Sequence, residues 1–344
     1  MSTATLEVVR VTRARHGRRR RAILTVLALL ILGGFAGSLM FGHTFYTPDE
    51  VLRVIAGQEV PGASFTVGEL RLPRAIVAVL VGLCFGMGGV TFQTMLRNQL
   101  ASPDIIGITA GAGAAAAFAI IVLRLSDAQV SVFAIAAGLG VALLVYALSF
   151  RSGVLGTRLI LVGIGIAAML DSVTAYLLSR AGEWDLQQAM RWLAGSLNGV
   201  TWADAATVAV AFAVLAPVLL SQARNLAALR LGDDTASALG VRVDRTRILL
   251  IVAAVGLIAF GTAAAGPVAF VAFLSGPIAA RVMRSSGSML LPAGLVGALL
   301  VATADFLGQW ALGQRFPVGV VTGVLGAPYL VYLIIRTNRA GGSL

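Results

Sequence analysis

Residues 248–280 read ILLIVAAVGLIAFGTAAAGPVAFVAFLSGPIAA, a run of 33 residues without one charged side chain. As a single helix it would extend roughly 50 Å at 1.5 Å per residue, well beyond a hydrocarbon layer of about 30 Å. It therefore does not cross once. Gly266-Pro267 supplies a break near its middle, since proline removes a backbone donor and clashes with the preceding turn. The stretch is expected to divide there into two short spans joined by a tight turn, with a second break at Gly276-Pro277.

The rest of the chain agrees with a bilayer as solvent. Of 344 residues, 58% are hydrophobic and 12% charged, about half the charge of a soluble domain, and the mean hydropathy is +0.92. Forty glycines against ten prolines suit helices that approach closely in lipid. Apolar stretches lie at 22–41, 70–93, 104–123, 130–150, 158–179, 204–222, 248–264, 268–283, 289–309 and 317–335. The expected fold is all-α, a polytopic membrane protein of about ten transmembrane helices, several short or broken by Gly and Pro. One transmembrane domain over 22–336 is flanked by a basic tail, 1–21, and a short tail, 337–344, with one long polar segment at 224–247.

The net charge of +11 would suit a nucleic-acid binder if it were clustered on a soluble face; instead it follows the membrane topology. Seven arginines (Arg10, Arg13, Arg15, Arg18, Arg19, Arg20, Arg21) precede the first apolar run, which is too long for a secretory signal and reads as an uncleaved span. With the N-terminus cytoplasmic, only seven arginines fall outside (Arg53, Arg71, Arg74, Arg124, Arg180, Arg191, Arg315) of the 26 basic residues, so the positive-inside bias sets both termini in the cytoplasm. The tryptophans Trp184, Trp192, Trp202 and Trp310 all fall in outer segments, as an interfacial belt would.

Catalytic chemistry is thin. The two histidines, His16 and His43, and the one cysteine, Cys84, form no metal-ligand spacing, and neither a nucleophile elbow nor a Walker loop is present. No metal or cofactor is expected, and ATP could be used only by a partner. Two acids fall within spans, Asp171 midway along the fifth and Asp305 in the outer half of the ninth. Such carboxylates either hydrogen-bond a neighbouring helix or, in a proton-coupled secondary transporter, carry protons. In the segment Gly232-Asp233-Asp234-Thr235-Ala236, with Leu239-Gly240-Val241 following, Asp233 reads as an N-cap and Gly240 as a stop. A short helix near 234–239 is expected, offering Ala236, Ala238 and Leu239 as a small apolar surface. At the start of the second span, Arg71 and Arg74 are three apart and share a face. Cations there oppose the helix dipole, so their presence calls for an anionic partner or lipid headgroups.

Taken together, Arg71-Leu-Pro-Arg74, Gly82, Gly86, Gln93, the stretch Arg97-Asn98-Gln99-Leu100-Ala101-Ser102-Pro103-Asp104-Ile105-Ile106-Gly107-Ile108, the 231–241 segment, Gly266-Pro267-Val268-Ala269-Phe270-Val271, Ala304-Asp305 and Pro317–Tyr329 resemble the permease subunits of binding-protein-dependent ABC importers, the FecCD type. The resemblance covers nearly everything after residue 20. It implies a plasma-membrane subunit that pairs with a second permease copy or paralogue and moves a ferric siderophore, haem or cobalamin inward. Cytoplasmic ATPase subunits and an extracytoplasmic substrate-binding protein are its implied partners, with no nucleic acid involved. On that resemblance Arg71 and Arg74 dock the binding protein, and Gly232, Asp233, Asp234, Ala236, Leu239, Gly240 and Val241 form the ATPase-coupling segment. The intramembrane polar residues Asp171, Asp305 and Gln93 acquire no role from it. Three positions depart from the family's pattern: Gln99 replaces a usual proline, Gly276-Pro277-Ile278-Ala279 lacks a usual polar residue, and Asp171 stands where a small or uncharged residue is expected.

Overall fold

The computed structural model describes residues 3–103, 107–149, 156–284, 287–311 and 313–339. Asp104, Ile105, Ile106 and residues 340–344, which figured in the sequence reading, lie outside them, as do the side chains of Arg10 and Arg13. Among the described residues the regular elements are helices. They are α1 (Thr3–Met40), α2 (Pro48–Ile55), a π-helical segment (Ser64–Arg71) running into α3 (Leu72–Met95), α4 (Ile108–Ile121), α5 (Asp127–Ser149), α6 (Gly156–Arg180) and α7 (Glu183–Leu193). There follow α8 (Trp202–Ser221), α9 (Ala223–Leu229), α10 (Asp233–Ala238), α11 (Val243–Ala265), α12 (Val271–Met283), α13 (Leu290–Trp310) and α14 (Val318–Arg339).

Each apolar stretch read from the sequence coincides with a helix, but their lengths differ. Seven are long and apolar enough to cross a membrane, while Ile108–Ile121, Val271–Met283 and the Val318–Leu333 part of α14 are shorter. The 248–280 run divides as expected at Gly266-Pro267. Gly266 adopts φ 67°, a left-handed conformation open to glycine, and the chain turns from α11 into α12. At Gly276-Pro277 the expectation is corrected: α12 runs through Pro277 without interruption.

The helix α3 is the centre of the bundle, packed by α8, α11, α12 and α13. In lipid there is little hydrophobic gain from bringing two apolar helices together, so close van der Waals packing at small residues has to hold them. The sequence supplies that spacing in Gly82, Gly86 and Gly89. A Cβ on Gly82 would overlap the backbone of Gly297 and Ala298, one on Gly86 the carbonyl of Ala293, and one on Gly89 the carbonyl of Ala272. Facing glycines on α13 complete the fit, since a Cβ on Gly297 would overlap the Gly82 carbonyl. By contrast α6 lies at the edge, against α4 and α5, and presents Leu161, Ile164, Met169 and Tyr176 outward.

Replacing Gly86 by Val is expected to abolish recovery of monodisperse protein, because the clash is with backbone. Gly33→Val, on α1 with nothing within 4 Å, should purify with an unchanged profile. Equal recovery of the two variants in size-exclusion chromatography would refute the α3–α13 contact.

Candidate functional site

At the end of the bundle where α1, α11 and α13 finish, polar residues line a cavity of about 600 Å³. Arg74 lies in the first turn of α3 and Asp305 in the second half of α13, which places them at one depth. Arg74 Nε donates to Asp305 Oδ2 at 2.9 Å and Nη2 to Oδ1 at 2.6 Å, the bidentate geometry that a planar guanidinium favours. Arg74 Nη1 also donates to Asn198 Oδ1, and Gln309 Nε2 reaches Asp305 Oδ2 at 3.2 Å. The two ionic side chains are 15% and 8% exposed. Asp305 thus has the basic partner that the sequence reading did not find for it, and the charges cancel.

Arg71 is held differently. Its Nη1 donates to the carbonyls of Leu39 at 2.8 Å and Met40 at 3.2 Å, and its Nη2 to that of Thr44 at 2.9 Å. These include the last carbonyls of α1, which have no intrahelical donor, and a cation at that end also complements the helix dipole. Its guanidinium carbon stands 5.0 Å from the Tyr46 ring centroid. No carboxylate bonds it among the described residues, so its charge is uncancelled. The expectation that Arg71 occupies a helix start is corrected, since helical backbone begins at Ser64. The two arginines line the same cavity but bond different partners.

A second cavity, of about 830 Å³, lies between α4, α6, α14 and the 267–270 turn. Its lining is aliphatic and aromatic, with hydroxyls from Ser102, Thr109 and Thr174. Asp171 is the one charged residue lining it among the described residues. Three connections meet at one end of this wall. Ser196 N–H donates to the Ala265 carbonyl at 2.7 Å, and Gly319 N–H to that of Gly195 at 3.0 Å. A Cβ on Gly195 or Gly319 would overlap neighbouring main chain, so the three turns interlock.

Gln93 has a structural account. Pro277 lacks the N–H that would bond the Phe273 carbonyl four residues earlier, and Gln93 Nε2 supplies the missing donor from α3 at 2.8 Å. A Cβ at position 276 would overlap the Gln93 amide. Gln93, Gly276 and Pro277 therefore form one unit, in which a neighbouring helix supplies the donor that the α12 ladder lacks at Pro277.

At the opposite end stands α10, between Gly232 (φ 107°) and Gly240 (φ 84°). Asp233 does not cap it; Gly232 holds that position, and the Asp233 carboxylate accepts from Arg247 Nη2 at 2.7 and 2.8 Å. Since Arg247 belongs to the first turns of α11 and is 7% exposed, α10 is fastened to a core helix. Ala236 is fully buried against that core, which corrects its expected place on the surface, and Leu239 is 64% exposed. Leu231, equally exposed, joins Leu239 on the surface; its exposure is invisible in a sequence where leucine is common.

A polytopic helical bundle with an apolar cavity along its wall, a polar vestibule at one end and a clamped surface helix at the other defines a membrane transport subunit. The FecCD transport family model matches residues 28–336, and the chain belongs to that family. It is 37% identical over 327 residues to the ferric enterobactin transport system permease protein FepG of Escherichia coli, covering 93% of this chain and 98% of that one. It is 36% identical to the achromobactin transport system permease protein CbrC of Dickeya dadantii, covering 94% and 92%. A solved structure of an inward-facing ABC transporter assigned to the metal-chelate type superposes with a TM-score of 0.82 at 27% identity, covering 92% of this chain and 99% of that one.

Removing Arg74 leaves a buried carboxylate unpaired, which costs about 3 kcal/mol. The thermal midpoint of purified Arg74→Ala should fall by several degrees, and Arg74→Ala with Asp305→Ala should recover most of the loss. Additive losses would mean that the two do not act as a pair.

Proposed function

We propose that this chain is the membrane-spanning permease subunit of a binding-protein-dependent ABC importer and conducts a ferric-siderophore complex inward. The family match over residues 28–336 carries this reading. The cargo is inferred from relatives such as FepG and CbrC, whose names give siderophores; cobalamin and haem are the competing cargoes. The arginine-rich end, with both termini, faces the cytoplasm, and the Arg74–Asp305 end faces outward, as the arginine bias supports.

The 830 Å³ cavity forms one wall of the pathway, closed by a second permease across α6 and α14. Closure of the ATPase subunits on nucleotide presses on α10, and the Arg247–Asp233 bond carries that displacement into α11, whose far end is the Gly266 turn beside the cavity. A rigid link between a surface knob and a core helix is what a switch of this kind needs. The outer arginines divide their roles. Arg74 is already matched by Asp305, so an acid on the binding protein would compete with an intrachain carboxylate. Arg71, bonded only to carbonyls, retains its full attraction for such an acid.

The complex reconstituted in vesicles with its ATPase and binding protein should accumulate an iron-59-labelled ferric siderophore only with ATP, and Leu239→Asp should lower co-purified ATPase at least tenfold while membrane insertion is retained. Uptake that follows a proton gradient without ATPase would overturn the reading. For docking, Arg71→Gln should weaken binding-protein association several-fold in surface plasmon resonance, with no additional loss when the facing acid is neutralised as well. Unchanged affinity would remove Arg71 from the interface.

A further inference from the structure

We infer that Asp171 determines cargo specificity, favouring a chelate that carries an ammonium or similar cationic group over its uncharged counterpart; this deepens the reading proposed above and depends on it. Asp171 stands halfway along α6 and is exposed. A carboxylate at that depth does not face hydrocarbon; it faces a cation, a partner or water. Its own face of the helix, with Ala167 and Thr174, lines the 830 Å³ cavity. The other intramembrane acid, Asp305, is cancelled by Arg74, whereas among the described residues nothing basic bonds Asp171. The charge is therefore left open toward the space through which cargo would pass.

The cavity's aromatic groups point the same way. Phe270 and Phe273 line it and pack edge to face, 6.4 Å between centroids at 85°. Phe270 is held at φ 63°, a region that non-glycine residues occupy only where the surroundings enforce it, and its ring lies against Gly326. A carboxylate and two aromatic rings in a wall otherwise made of aliphatic side chains and three hydroxyls suit a ligand with an apolar body and one positive group. An anionic chelate would be repelled by the same carboxylate.

The test uses the assembled transporter in vesicles, with four labelled probes: a ferric trihydroxamate and a ferric tricatecholate, each with a pendant primary amine and each with that amine acetylated. ATP-driven uptake of the amine form divided by uptake of the acetylated form cancels the binding protein's own preference when wild type and variant are compared. This ratio should fall about tenfold in Asp171→Asn and be restored in Asp171→Glu. An unchanged ratio would overturn the inference and leave the importer reading intact. So would an equal fall for both forms accompanied by loss of the second permease in size-exclusion chromatography, which would give Asp171 a cation on that subunit instead. If wild type takes up none of the four probes with ATP, the ferric-siderophore cargo proposed above fails and this inference with it.

Discussion

Hydrocarbon offers no hydrogen bonds, so every carbonyl freed by a break in a helix must find a donor within the protein. Much of what is unusual in this chain answers that constraint. Pro277 leaves the Phe273 carbonyl without its helical donor, and Gln93 reaches across from α3 to supply one. The end of α1 leaves carbonyls at Leu39 and Met40, which Arg71 gathers together with that of Thr44. The turn after α11 leaves the Ala265 carbonyl, taken by the Ser196 amide. Each repair ties together elements distant in sequence, so the places where the backbone departs from helix are also where the bundle is cross-linked.

The same economy governs distance between helices. Glycines on α3 and α13 bring backbones close enough that a single added carbon would collide with main chain. This produces a rigid centre made of α3, α11, α12 and α13, with α6 left at the periphery. A peripheral helix beside a closely packed core is a suitable arrangement for a path that must open and close. The Arg247–Asp233 bond fastens the surface helix α10 to α11.

The acids of the bundle divide by what they touch. Asp305 and Asp233, the acids packed against the bundle, each hold an arginine, as desolvation of an unpaired charge would demand. Asp171 has none among the described residues and lines a cavity instead. The contrast separates acids that build the structure from the acid left facing a cavity.

Composition and hydropathy were sufficient to read the bilayer, the positions of the apolar helices and the break at Gly266-Pro267, because hydropathy and backbone sterics are local properties. The short helix between Gly232 and Gly240 was legible for the same reason, to within one residue. What each polar side chain touches was not. Arg74 and Asp305 are 231 residues apart, and nothing in either neighbourhood encodes that they share a depth and a cavity. The inward turn of Ala236, the exposure of Leu231 and the survival of α12 through Pro277 likewise depend on neighbours from other helices. Sequence by itself determined which apolar segments are helical and that the chain lives in lipid; the tertiary structure alone decided which charges cancel and which remain open, since pairing is a matter of three-dimensional proximity that local chemistry does not specify.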